Sequence, residues 1–285
     1  MSRFVGERST LRPSEIDRSS HVCWSYASDA EHRDFVAEFF EAGLAANELL
    51  MYLAPPEQLQ TTLSELADAG VETGPLFESG QLQLRELDAS YGVDGTLRPD
   101  VRLAGHALLV GQALRDGYSG LRVCSEIVPL LASEPVSDEW CAYEVRADLL
   151  IARLPSIVVC ACDLRRARPK MMGDLHAVHS LHAGAPTCHS PFQLHAGSRG
   201  LFLSGEVDAS NADRVGRWLA EALPDMPEPI VDVEELDFID AAGMWALLDS
   251  AHAHPEGMRL TGTSERFRRV WSVCGYDTIP SVQLN

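Results

Sequence analysis

The sequence predicts a layered α/β protein in two domains. Short apolar runs of strand length alternate with stretches of helical periodicity along most of the chain. A Gly/Pro/Ser/His segment without periodicity interrupts that alternation at 183–191. The 285 residues are enough for two cores of ordinary size. These observations divide the chain into a polar tail (1–19), a larger domain (20–182), a linker (183–191) and a smaller domain (192–285).

In the larger domain the first strand is expected over His21–Tyr26. A helix follows, capped by Asp29, with Phe35, Val36, Phe39, Phe40 and Leu44 on its apolar side. Glu48–Leu53 is the second strand, ended by Pro55 and Pro56. The next helix carries Leu59, Leu63 and Leu66 and closes at Gly70. Gln81–Leu87 alternates as a half-exposed strand, and 88–99 reads as a long loop with turn signals at Tyr91-Gly92 and Asp94-Gly95. A helix over Asp100–Asp116, a strand over Leu121–Ile127 and a helix over Cys141–Leu154 follow. The unbroken apolar run Ser156–Cys162 has the composition of a central parallel strand buried on both faces.

In the smaller domain, Phe192–His195 and Gly200–Ser204 are paired strands around a tight turn. A helix runs from Ser210 or Asn211 to Leu223. Pro229–Val233 and Met258–Thr261 are further strands, and helices begin at Ala241 and Ser264. Trp245, Leu248 and His252 share helical spacing, which places Trp245 in the core.

The net charge of −19 disfavours direct binding to nucleic acid or anionic membrane. Two basic clusters, Arg165 to Lys170 and Arg266 to Arg269, read as solvated surface, and no helix-turn-helix pattern is evident. The N-terminus lacks the apolar stretch of a signal peptide, and no apolar run is long enough for a membrane span, so a cytoplasmic protein is expected. Seven cysteines, odd in number and mostly in apolar runs, suit reduced buried thiols. His176, His179 and His182 are spaced by three, with Cys188 and His189 shortly after. On a helix, two of those imidazoles could share a metal or haem, but the spacing fits no standard zinc motif, and neither metal nor cofactor is expected.

Three spaced motifs carry a resemblance in the smaller domain: Gly205-Glu-Val-Asp208, Ile230-Val-Asp-Val233 and Leu236-Asp-Phe-Ile-Asp-Ala-Ala-Gly-Met244. Phe192–Asn285 resembles a STAS domain, the fold of anti-sigma-factor antagonists. The resemblance implies an anti-sigma factor of the GHKL-kinase type as partner, docking on Asp240, Ala241, Ala242, Gly243 and Met244 at the exposed start of a helix. It also implies a regulatory Ser or Thr after the Asp. Here Ala241 and Ala242 follow Asp240, so no hydroxyl is present to take a phosphate and its charge of nearly −2.

The segments His21–Asp29, Val36–Leu44, Asn47–Tyr52 and Leu121–Ile127, with the late His179-Ser180, resemble a MEDS sensory domain over Ser20–Leu181. The resemblance implies a RecA-like layered fold without its nucleotide site. The residues agree: the loop Ser25–Asp34 lacks glycine and lysine and carries Asp29, Glu31 and Asp34, which would repel a triphosphate. The carboxyl ends of parallel strands are where such sheets bind ligands. Tyr26, Glu126 and Asp163 lie at or near those ends, and the resemblance adds His21 and His179, so His21, Tyr26, Glu126 and His179 are the candidate sensory-pocket residues for an unidentified small molecule.

The expected protein is non-enzymatic and signals through the smaller domain, with self-association possible. The competing readings are a scaffold in a stress-signalling assembly and a RecA-like ATPase that its STAS domain targets.

Overall fold

A computed structural model describes residues 11–87, 97–131, 134–185, 189–197 and 199–285, with only the backbone of 134–137. The chain divides into two units. The first comprises Met1–Val136, Leu150–Met172 and Leu181–Cys188, and the second Ser137–Leu149, Gly173–Ser180 and His189–Asn285.

The first unit is built on a six-stranded sheet: β1 Ser20–Tyr26, β2 Leu49–Ala54, β3 Leu82–Glu86, β4 Leu121–Glu126, β5 Ser156–Asp163 and β6 Leu181–Gly184. The order is β3-β2-β4-β5-β1-β6, and every pairing is parallel. Parallel neighbours need crossovers, supplied here by α1 Asp29–Ala45, α2 Pro56–Asp68, α3 Thr73–Glu78, α4 Pro99–Arg115, α5 Glu134–Ile151 and α6 Pro169–Val178. The α/β class and layered architecture expected from the alternating pattern are present. All of β1, β2 and β4 are buried, as strands covered on both faces must be.

Strand pleating assigns each side chain a face. Residues in parallel register fall on one side, so Val22, Trp24 and Tyr26 of β1 lie with Val159 and Ala161 of β5, Cys124 and Glu126 of β4, and Tyr52 of β2. This face packs against Phe35, Val36, Phe39 and Phe40 of α1 and Leu66 of α2. The other face carries Leu49, Met51, Leu121 and Val123, which meet Val110 and Ala113 of α4. Arg122 is buried and ion-paired with Glu48, its guanidinium 4.7 Å from the Phe39 ring centre. Gly43 allows this, because a Cβ there would stand 2.7 Å from Arg122 Cδ and 2.5 Å from a Leu50 methyl.

Several boundaries differ from expectation for local reasons. Ser28, not Asp29, caps α1: its hydroxyl accepts from the Glu31 amide at 3.2 Å, and Glu31 reaches back to the Ala27 amide at 2.7 Å. Pro99 opens α4 because a first-turn position needs no amide donor. β6 runs across the expected start of the linker at 183, and α3 and α6 were not anticipated. The turn signals at Tyr91-Gly92 and Asp94-Gly95 lie outside the described residues, as does Cys188. The other six cysteines are free thiols, five of them buried.

The second unit holds a mixed sheet of β7 Phe192–Gly197, β8 Gly200–Val207, β9 Ile230–Asp232, β10 Leu236–Ile239, β11 Met258–Thr261 and β12 Val282–Leu284. The order is β10-β8-β9-β11-β12, with β7 antiparallel to β8 and all other pairs parallel. Helices α7 Ala212–Ala222, α8 Ala241–Ser250 and α9 Glu265–Val273 complete it. Its core gathers Phe192, Leu203, Val215, Trp218, Leu247 and Trp271, joined by Cys141, Val145 and Leu149 of α5. Gly205 has φ +82°, and a Cβ there would fall 2.4 Å from the Pro191 carbonyl oxygen, so the position requires glycine.

Trp245 is 55% exposed, not in the core. The buried stripe of α8 is Met244, Leu247 and Leu248, continued by Ala251 just past its end, and this spacing of three, one and three leaves Trp245 on the outer edge. Among the described residues no helix is long and apolar enough to cross a membrane.

Candidate functional site

The carboxyl ends of β1, β2 and β4 bring Tyr26, Tyr52 and Glu126 together on the α1 face of the first sheet. Glu126 and Ala161 are register partners, and so are Ala161 and Trp24. The intervening strand β5 thus presents only a methyl group between β4 and β1, and the longer side chains meet across it. Tyr26 donates its hydroxyl to Glu126 Oε2 at 2.9 Å, and Tyr52 donates to Glu126 Oε1 at 3.1 Å. His32, from the first turn of α1, completes the cluster: its Nε2 is 3.0 Å from both Glu126 Oε1 and the Tyr52 hydroxyl. Its Nδ1 faces Glu65 Oε2 of α2 at 3.4 Å. Gln58 donates to the Tyr52 hydroxyl at 3.3 Å.

The imidazole therefore lies between two carboxylates. Burial alone would lower its pKa, but the hydrogen bond and charge of Glu126, aided by Glu65, raise it above the ordinary histidine value. Burial and the neighbouring Glu126 push the Tyr26 and Tyr52 hydroxyls well above the usual phenol range, so both remain donors. A carboxylate taken out of water at this depth is tolerated because three donors satisfy it. Aromatic rings wall the cluster: Trp24 stacks on Phe35 at 3.8 Å between centroids and on Tyr26 at 4.9 Å.

Outside this network, Arg165 makes a two-pronged pair with Asp163 at 2.8 and 2.9 Å and reaches Asp29 at 2.8 Å. Burial would raise the Asp163 pKa, but the hydrogen bonds from Arg165 hold it below the usual carboxylate range. The Arg165 guanidinium lies 6.0 Å from the Tyr26 ring centre. At the start of α1 the Glu31 amide donates to Ser28 Oγ and the Ala27 amide donates to the Glu31 carboxylate.

Of the four expected pocket residues, Tyr26 and Glu126 meet. His21 does not join them. It is five residues from Tyr26 on one strand, an odd offset that turns it to the opposite face, where its Nε2 is 3.4 Å from Cys160 Sγ. His179 belongs to the second unit, where its Nδ1 is bound to the Leu175 carbonyl oxygen at 2.9 Å and its Nε2 lies 3.9 Å from Glu144 Oε2. His32 and Tyr52 were not anticipated, although the strand-end rule applied to β2 points to Tyr52.

The helical premise of a histidine cluster does not hold. Only His176 lies in α6, while His182 is in β6, paired with Cys23. The His176 ring is edge-on to His189 at 5.5 Å. Burial, reinforced by His189, lowers the pKa of His176, an environment that favours the neutral ring.

In the second unit, Asp240 caps α8. Its Oδ1 accepts from the Gly243 amide at 3.0 Å and its Oδ2 from the Ala209 amide at 3.2 Å, which ties the Asp208–Asn211 turn to the helix start. Ala241 is exposed and Ala242 half-buried, whereas Gly243 and Met244 are buried. The outward edge expected over Asp240–Met244 is therefore Asp240, Ala241, Ala242 and, one turn on, Trp245. Gly243 and Met244 face inward because a Cβ on Gly243 would stand 2.9 Å from a Val207 methyl and Met244 belongs to the buried stripe.

No curated protein matches the chain by sequence. The model of the MEthanogen/methylotroph, DcmR Sensory domain family, MEDS, matches residues 20–180. That span is more than half of the chain, and the chain belongs to the MEDS family of sensory domains.

Proposed function

We propose that the protein is a signalling protein in which the MEDS unit senses a small molecule and the second unit, an anti-sigma-factor antagonist-like module, binds an anti-sigma factor without a phospho-switch. The observation that carries the second half is the start of α8. Ala241 stands exposed at the position where the resemblance implies a hydroxyl, on a helix whose cap holds it in place, with an exposed Trp245 one turn further. Small side chains beside an aromatic anchor are the chemistry of a docking surface. With no hydroxyl to modify, control passes to the sensory unit, whose ligand must favour one state of the protein over another.

The sensory half rests on family membership and on the Glu126 network, which lies where open α/β sheets receive ligands. The loop Ser25–Asp34 has neither glycine nor lysine, and its Ala27 and Glu31 amides are bonded to the chain's own Glu31 and Ser28, which weighs against the ATPase reading. The test is to incubate the full chain with GHKL-type anti-sigma kinases and Mg-ATP, following complex formation and phosphate incorporation together. Stable binding without phosphorylation is expected. Failure to bind any such kinase removes the antagonist reading in favour of a scaffold, and phosphorylation at another Ser or Thr contradicts the argument from Ala241.

A further inference from the structure

Helix α4 turns one side to the first sheet and, among the described residues, leaves the other uncovered. The sheet side is unambiguous: Val110 and Ala113 are buried, and His106 Nε2 is 3.0 Å from Ser156 Oγ of β5. Val101, Ala104, Gly105 and Leu108 lie on the opposite side, at helical spacings of three, four and seven. Val101 is 66% exposed and Leu108 is 69% exposed. A Cβ added at Gly105 would meet nothing within 4 Å. Single exposed apolar residues are ordinary, but two large ones two turns apart, with Ala and Gly on the turn between them, form a strip along which another helix can approach closely.

We propose that this side of α4 pairs with α4 of a second copy of the chain in an antiparallel, two-fold arrangement. The charges at its ends indicate a self-complementary occupant. Asp100 and Arg102 flank the strip at the N-terminal end, and Arg115 and Asp116 follow it at the C-terminal end. In an antiparallel pair each flank meets the same flank of the other helix, running the opposite way. Arg102 then approaches Asp116 of the second copy, and Asp100 approaches Arg115. Leu108 packs on Leu108, and Val101 lies against the aliphatic stem of Arg115. Opposed helix dipoles favour the same orientation. The segment Pro99–Asp116 carries two acids and two arginines, so it is locally neutral in a chain of net charge −19. Like-charge repulsion, which keeps two such chains apart elsewhere, is absent along this helix. A two-fold contact of this kind is isologous and closes at two copies.

The experiment is sedimentation equilibrium of the full chain from low to high micromolar concentration, with far-UV circular dichroism as a check on folding. The native chain is expected to be dimeric. Leu108→Glu, at an exposed position, leaves the circular dichroism unchanged and raises the dissociation constant at least about tenfold, because two buried leucines per pair are lost. Asp116→Arg weakens the dimer by setting Arg102 against arginine, and adding Arg102→Asp to that variant restores it. A native chain that stays monomeric throughout, or a dimer indifferent to Leu108→Glu, overturns the proposal. So does a double variant as weak as Asp116→Arg alone, since antiparallel pairing requires the rescue.

Discussion

His32 Nε2 lies 3.0 Å from Glu126 Oε1, joining the first turn of α1 to the end of β4 across 94 residues of sequence. Both side chains are buried, and both tyrosine hydroxyls of the cluster converge on the same carboxylate. This contact ties the helix that follows β1 to the middle of the sheet.

Removing the carboxylate should therefore damage the first unit. Glu126→Ala leaves Tyr26, Tyr52 and His32 without their shared acceptor and is expected to destabilise by about 3 kcal/mol, the cost of breaking a buried charge pair from one side. Glu126→Gln keeps the shape and part of the bonding, and should cost about 1–2 kcal/mol. Urea unfolding followed by circular dichroism measures both. Equal, negligible losses would show that the network contributes little.

The raised pKa of His32 fixes the sign of a pH effect. The folded state holds the proton more tightly than the unfolded chain, whose histidine titrates near about 6.5. The stabilisation is fully present below that unfolded value and is lost as pH rises through the higher folded one. Unfolding free energy should thus decline across that window in the native protein, and His32→Asn should flatten the decline.

Much of this fold is legible in sequence, and the exceptions are instructive. The strands β2 and β5 announce themselves because burial on both faces favours nearly unbroken apolar runs, as in Ile157–Cys162, while β1 and β4 are as buried yet carry His21, Arg122 and Glu126. Edge strands are quieter. β6 has four residues with only Ala183 buried, and β12 has three, so neither carries a pattern above its surroundings. The basic run at 165–170 conceals the start of α6. Tyr26 and Glu126 follow from the strand-end rule, whereas His21 enters through the resemblance alone, and at the start of β1, five residues from Tyr26, it takes the opposite face. His32 carries no signal in the sequence because its partners, Glu65 and Glu126, are distant along the chain.

Ser28→Ala tests the reassigned cap of α1. Loss of the hydroxyl that accepts from the Glu31 amide should cost about 1 kcal/mol, whereas Asp29→Ala, one position inside the helix, should cost less. Thermal unfolding of the two variants ranks them, and the reverse order would restore Asp29 as the cap.

Two tryptophans of the second unit should behave oppositely. Trp218 is fully buried, and Trp218→Ala is expected to cost about 3–5 kcal/mol. Trp245→Ala should change stability by less than about 0.5 kcal/mol, as at an ordinary surface position, while abolishing partner binding. Denaturant unfolding gives the first comparison and a binding assay with the proposed anti-sigma partner the second.

The most direct test of the Glu126 network is an NMR titration of the His32 imidazole in the native chain and in Glu126→Gln. The expected result is a pKa above about 6.5 in the native protein that falls when the carboxylate becomes an amide. A His32 that titrates at or below that value, and is unmoved by Glu126→Gln, would contradict the account of a histidine whose pKa is raised by the carboxylates on either side of it.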